Sequence, residues 1–346
     1  MPGARTRGYS AGVITIRLTT DDLSRIRFAF SPIWETVTSV RALSNNTPSG
    51  LHGPWLRRIR PLAAGDDLTL LQALIPPVGY IPDFLTPAPP RRSTSFESGL
   101  AAIAATPHHL VVAELGKLGD EHPHPVIDEL IADPAEALDR ISTALQTYWH
   151  RALEPDWRRM RSLLQDDLAF RLEELAGGGV DRLFRNLHPS VRFTGDRIEI
   201  DRPFCCDGVP LPGQGLLLVP CVFTWPAALS VTAAPHVPTI TYPPRGLGRL
   251  WESRQDTTDS PLAELVGRTR AAIVGHLDLP MSTTHLAHQL GVSAPTLSVH
   301  LGILRAAGVV RSRRDGRTVL YHRTALGNHL LAASTVPSPP ALVTSG

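Results

Sequence analysis

Residues 283–310 read TTHLAHQLGVSAPTLSVHLGILRAAGVV, and few folds accommodate that pattern. Leu286, Ala287 and Leu290 give the first segment one apolar face, and Gly291 stops it in the left-handed conformation that glycine adopts cheaply. Val292 can plug the turn, and Ser293 caps a new helix. Stepping 100° per residue places Leu297, Leu301 and Leu304 on one side of that helix. Pro295, Thr296 and Val299 point the opposite way, flanked by Ser298 and His300. A buried helix would be apolar on both sides near its start, whereas this one presents a short uncharged polar face. Helix, three-residue turn and helix match a helix-turn-helix, whose second helix enters the major groove with its N-terminal residues.

The flanks strengthen this reading. Residues 306–322, AAGVVRSRRDGRTVLYH, predict a glycine-broken helix end, a strand over Val309–Arg313, a tight turn at Asp315 and Gly316, and a return strand over Thr318–His322. Arg311, Arg313, Arg314 and Arg317 crowd this hairpin. Between Arg305 and Arg323 there are six arginines and one aspartate, a local excess of +5 in a chain whose formal charge is only +2. Such a patch calls for a polyanion. Upstream, SPLAELVGRTRAAIVGHLDLP (260–280) predicts one amphipathic helix capped by Ser260, with Leu262, Leu265, Val266, Ile273 and Leu277 as its apolar stripe. A basic hairpin after a helix-turn-helix is a winged helix, so double-stranded DNA is the expected partner. The expected contacts are Ser293, Pro295, Thr296, Ser298, Val299 and His300 on the second helix and the four hairpin arginines. Tyr321 is expected to pack the hairpin against the helices.

The rest of the chain has a different texture. Its 346 residues suit two domains, and 42% hydrophobic with 19% charged residues is a globular composition. VITIRL (13–18) reads as a strand, followed by a Thr-capped helix start in TTDDLSRIRFAF and a Ser31-capped, proline-started helix in SPIWETVTSVRAL. The proline-rich stretch 76–95 reads as a surface loop. Residues 133–176 predict two antiparallel helices, with Ala137, Ile141, Ala144, Leu145 and Tyr148 on one face and stops at Pro155 and the glycines 177–179. Past Leu187 come strands: VRFTGDRIEID with a turn at Gly195 and Asp196, the apolar run GLLLVPCVF, and PTITYPP. The expected organisation is an α+β domain over residues 1–255, a winged helix-turn-helix, mainly α with a β-hairpin wing, over 256–332, and a flexible tail over 333–346.

The stretch TTHLAHQLGVSAPTLSVHLGILRAAGVVRSRRDGRTVLYH resembles the ArsR-type winged-helix transcriptional regulators. It has their leucine-anchored helix, GVS turn, S/T-x-S-x-H-L recognition helix and GR-x-x-YY-like wing. The resemblance covers about a fifth of the chain and implies a DNA-binding regulator, a repressor acting as a homodimer. The long N-terminal region resembles an uncharacterised domain that precedes this module in some actinobacterial regulators, with no activity implied. Members of the family that sense metals place cysteines near the start of the second helix, where this chain has LPMSTTHLA, and RTALGNHLLAAS lacks the ligands of their other common site. His285 and His288 share a helix face without a third ligand. No metal and no other cofactor are therefore expected. Val299 stands where relatives often carry a polar or basic residue, so Val299 and the Thr296 methyl are expected to meet thymine methyls. Ser298 and His300 are expected to bond phosphates or base edges.

Elsewhere no catalytic motif is present. GQGLLL and GLGRLW lack the third glycine of a dinucleotide fingerprint, and there is no Walker A, G-x-S-x-G or H-E-x-x-H. No catalytic residue is named, and an enzyme is not expected. Cys205, Cys206 and Cys221 are an odd count without C-x-x-C spacing and read as small buried residues in a reducing compartment. The histidines of EHPHP (121–125), together with His108 and His109, read as surface polar residues, and the six tryptophans as core. Without a signal core or an apolar run of spanning length, the expectation is a cytoplasmic protein with no membrane contact. The N-terminal domain is expected to sense a small-molecule effector or to hold the dimer, the latter through residues 133–176. The alternatives are an enzyme or a protein-binding domain fused to a DNA-binding module. A pocket of convergent ionisable side chains would favour the enzyme, and a large exposed apolar patch the protein-binding domain.

Overall fold

A computed structural model describes residues 12–44, 51–62, 65–202, 213–224, 229–231, 235–247, 250–251, 261–277, 281–315 and 318–333. They fall into two compact units, Met1–Thr47 with Leu56–Pro244, and Pro48–Trp55 with Arg245–Gly346. A boundary near residue 255 lies outside the described residues; on the described side the units part after Pro244.

The first unit is α+β. Its antiparallel sheet has the order β1-β4-β3, built from β1 (Gly12–Arg17), β3 (Val191–Phe193) and β4 (Arg197–Arg202). Ile14 lies opposite Ile200 and Ile16 opposite Ile198, which puts one apolar row of each strand on the core side. A second sheet has the order β2-β5-β7-β6, from β2 (Arg27–Phe28), β5 (Leu217–Pro220), β6 (Leu229–Val231) and β7 (Thr239–Tyr242). β5 runs parallel to both of its neighbours and is buried at every residue, as its unbroken apolar run requires.

The helices of this unit follow from local signals. Thr19 caps α1 (Thr20–Ser24) in a reciprocal capping box with Asp22. Then come α2 (Pro32–Ser44), α3 (Gly53–Ile59), within which the two units divide, α4 (Asp66–Leu74), α5 (Phe96–Ala104), α6 (His108–Glu121), α7 (Pro125–Ala132), α8 (Pro134–Ala152) and α9 (Glu154–Arg185). The helix-facing residues Ala137, Ile141, Ala144, Leu145 and Tyr148 are all buried. The glycines 177–179 interrupt the helix, since Gly179 leaves helical geometry at φ 66°, but a further helical segment follows at once to Arg185. The reason lies beyond the kink, where Leu183, Phe184 and Leu187 join the core with Ile198, Ile200, Leu218, Ile240 and Tyr242. One expectation needs correction: the proline-rich stretch does not lie over the surface throughout, since Asp83–Leu85 form a short 3-10 turn in which Phe84 and Leu85 are buried.

The second unit carries α10 (Pro261–Val266), α11 (Arg268–His276), β8 (Met281–Ser282), α12 (Thr283–Leu290), α13 (Ala294–Ala306), β9 (Val310–Asp315), β10 (Thr318–Arg323) and α14 (Ala325–Ala333). The single helix expected over 260–280 is two, because Gly267 sits between them at φ 85°. Leu262, Ile273 and Leu277 are buried, but the break turns Leu265 outward, 73% exposed. Among the described residues no helix is long and apolar enough to cross a membrane.

Candidate nucleic-acid interface

α13 is set by the two turns that bound it. At its start, Gly291 adopts φ 64° and the Val292 N–H donates to the Ala287 carbonyl at 3.1 Å, closing α12. The Ser293 hydroxyl then accepts the Thr296 N–H at 3.3 Å and lies 2.7 Å from the Thr296 hydroxyl, so α13 begins with a side-chain cap. At its end, Gly308 stands at φ 70°; its N–H donates to the Arg305 carbonyl at 3.0 Å and the Val309 N–H to that of Leu304 at 2.9 Å. This is a Schellman motif, with Leu304 and Val309 both buried as its apolar contact.

Between these ends the helix has two faces. Leu297, Leu301 and Leu304 are buried, while Pro295, Thr296, Ser298 and Val299 are exposed, Val299 to 64%. The residues expected at the DNA therefore differ in what they have free. Ser293 and Thr296 share their hydroxyls across the cap, leaving Ser298 and the Val299 methyls as the uncommitted groups at the helix start. His300 is half-buried, and its Nδ1 is enclosed without a hydrogen-bond partner, so only its other ring edge can face a ligand. One exposed apolar residue went unnamed in the sequence. Ile303, 44% exposed, lies one turn beyond Val299, and the i, i+4 spacing was the available signal.

The hairpin that follows is a three-stranded sheet in the order β8-β10-β9, with Met281 and Ser282 supplying an edge that the sequence did not announce. Arg311, Arg313 and Arg314 are exposed on β9; Arg317 lies outside the described residues. Strand alternation separates them. Arg311 and Arg313 project to one side, opposite His322 and Leu320, whereas Arg314 projects to the other, opposite Val319. Arg323, the last of the basic run, donates to the Val274 carbonyl at 3.2 Å and thereby helps hold β10 to α11. Tyr321 is half-buried.

Residues 268–313, which span α11 to the first strand of this hairpin, match a family profile described as a helix-turn-helix domain. The C-terminal module is a winged helix-turn-helix domain. Curated relatives match this chain over stretches of comparable length. The HTH-type transcriptional regulator KmtR of Mycobacterium tuberculosis is 47% identical over 58 residues, 16% of this chain and 45% of its own. The HTH-type transcriptional repressor SmtB of the same organism is 42% identical over 78 residues, 22% of this chain and 56% of its own. The biofilm growth-associated repressor of Xylella fastidiosa is 42% identical over 43 residues, 12% of this chain and 38% of its own. The chain thus spans about half the length of the first two relatives. No solved structure matches the chain.

Other histidines and a cysteine carry structural roles. His276 is buried, with Nδ1 2.7 Å from the Ala272 carbonyl, and burial lowers its pKa so that it stays neutral. Side chains of His285 and His288 lie outside the described residues, as do Cys205 and Cys206. His124 caps α7, its Nδ1 accepting the Val126 N–H at 3.3 Å. Cys221 is buried, and burial raises its thiol well above the usual range, which keeps it inert.

Proposed function

We propose that this chain is a DNA-binding transcriptional regulator, a repressor that acts as a homodimer in the cytoplasm. Support comes foremost from one observation: a capped helix with an exposed, uncharged face is followed immediately by an arginine-lined hairpin, in a chain that matches, over part of its length, proteins named as transcriptional regulators and repressors. In this reading α13 enters the major groove, and Arg311 and Arg313 on their shared side of the wing neutralise phosphates. Ser298, Val299 and the accessible edge of His300 read base edges and methyls; Ser293, Pro295 and Thr296 set the depth of the helix. Arg314 and Arg317 complete the basic set, one of them supplying a third phosphate contact. The N-terminal unit senses a small-molecule effector or holds the dimer, and it contributes no catalysis. Binding-site selection on genomic DNA with the purified full-length chain tests the proposal. A recovered pseudo-palindromic site, with half-sites about one helical turn apart, is the expected result. Recovery of unrelated sequences with no common motif would sink it.

A further inference from the structure

We propose that Asp83, Glu114 and His236 form a divalent transition-metal site in the N-terminal unit. The three residues come from separate parts of the chain, the 3-10 turn Asp83–Leu85, the middle of α6 and the segment just before β7, yet each offers a ligand atom within 4.8 Å of the other two. All three are largely shielded from solvent. That distinguishes them from the exposed acidic groups common on protein surfaces.

The donors are already oriented by groups outside the trio. Glu114 Oε2 accepts the Phe84 N–H at 2.8 Å, which leaves Oε1 facing His236 Nε2 at 2.5 Å. Asp83 Oδ2 lies 3.2 Å from the Tyr80 hydroxyl, which leaves its other oxygen free of that bond. Backing of this kind fixes ligand direction at metal centres. A metal bonded at about 2.1 Å holds tetrahedral ligands about 3.4 Å apart. Loading therefore spreads Glu114 Oε1 and His236 Nε2 from 2.5 Å to that separation, with the metal entering between them and Asp83, and replaces their hydrogen bond with two metal bonds.

One imidazole and two carboxylates select the metal. Magnesium and calcium prefer all-oxygen shells, and copper(I) prefers sulfur, whereas a mixed nitrogen and oxygen set suits Zn2+ and its first-row neighbours. Two carboxylate charges balance a divalent ion. Lys117, whose ammonium lies 3.6 Å from the centre of the Tyr80 ring, also acts on Asp83 and competes with the cation, which makes the site weaker than a closed structural one. The fourth position is left to water or a small anionic ligand.

The full-length chain, stripped with chelator and dialysed, tests this by Zn2+ titration against a chromogenic competitor and by Co2+ absorbance. Relative to the parent, H236Q and E114Q should each lose one equivalent of Zn2+ or bind it at least about tenfold more weakly. The parent's Co2+ spectrum should show d–d bands without thiolate charge transfer that disappear in both variants. Zn2+ should raise the melting temperature of the parent and not of the variants. D83N, which keeps an oxygen toward Tyr80, supplies a third variant with the same expectation. Equal stoichiometry and affinity in parent and variants, or Co2+ bands that arise only from thiolates, would overturn the assignment.

Discussion

Val299 illustrates how one side chain carries the specificity question. With 64% of it exposed, its removal costs little stability, but it also lacks the donors that read guanine. V299A should leave the melting temperature unchanged and weaken the preference for thymine at one position per half-site by about 1 kcal/mol, roughly fivefold. Selected sites from the two proteins, compared position by position, check this; identical base preferences would remove Val299 from the readout. Glu35 poses the opposite case, a buried carboxylate that no sequence pattern marks. It accepts the Val222 N–H at 2.8 Å and lies 3.3 Å from Cys221 Sγ, and burial raises its pKa to about 7. Since the folded pKa exceeds the unfolded one, the stabilisation it gives is complete below about pH 4.5 and is lost as pH rises through 7. Denaturant unfolding of the wild type should therefore weaken by up to about 3 kcal/mol between pH 5 and 8, and E35Q should flatten that slope. A slope unchanged in the variant would place the titration elsewhere.

Elements were legible in the sequence where their causes are local. The burial of Leu297, Leu301 and Leu304 and the exposure of Val299 follow from helical periodicity, and the glycines that bound α13 sit where the turns need them. Gly308→Ala tests the latter. Nothing lies within 4 Å of a Cβ at this position, so the cost is the left-handed backbone alone, about 1–2 kcal/mol. Chemical denaturation should show that loss, and an unchanged midpoint would mean the turn relaxes. Legibility failed where distant packing decides. Residues 177–179 read as a stop and Gly179 does break the helix, but the segment that follows to Arg185 is held by a core drawn from strands on both sides of it in sequence. Leu265 belongs to the apolar stripe only if Gly267 stays helical. Asp83, Glu114 and His236 are separated by up to 153 positions, and no spacing rule joins them.

For the molecule as a whole, the near-neutral total charge and the concentrated basic wing make the salt response the decisive measurement. If three wing arginines per protomer neutralise phosphates, a dimer makes about six contacts, and affinity should fall roughly a thousandfold between 50 and 200 mM salt. R311A should reduce the slope of log affinity against log salt by about one per protomer while leaving base preference intact. A slope near zero for the parent would contradict a wing-anchored complex. The second unit is discontinuous in sequence, so its assembly waits on synthesis. The Trp251 indole N–H donates to His52 Nδ1 at 3.2 Å, across 199 positions of sequence, with the Trp55 ring 6.2 Å away. At about 5–20 residues per second, the segment around His52 leaves the exit tunnel some 10–40 s before its partner is made. Throughout that interval its aromatic side chains are open to chaperones, and translation speed between the two becomes a variable in the yield of folded protein.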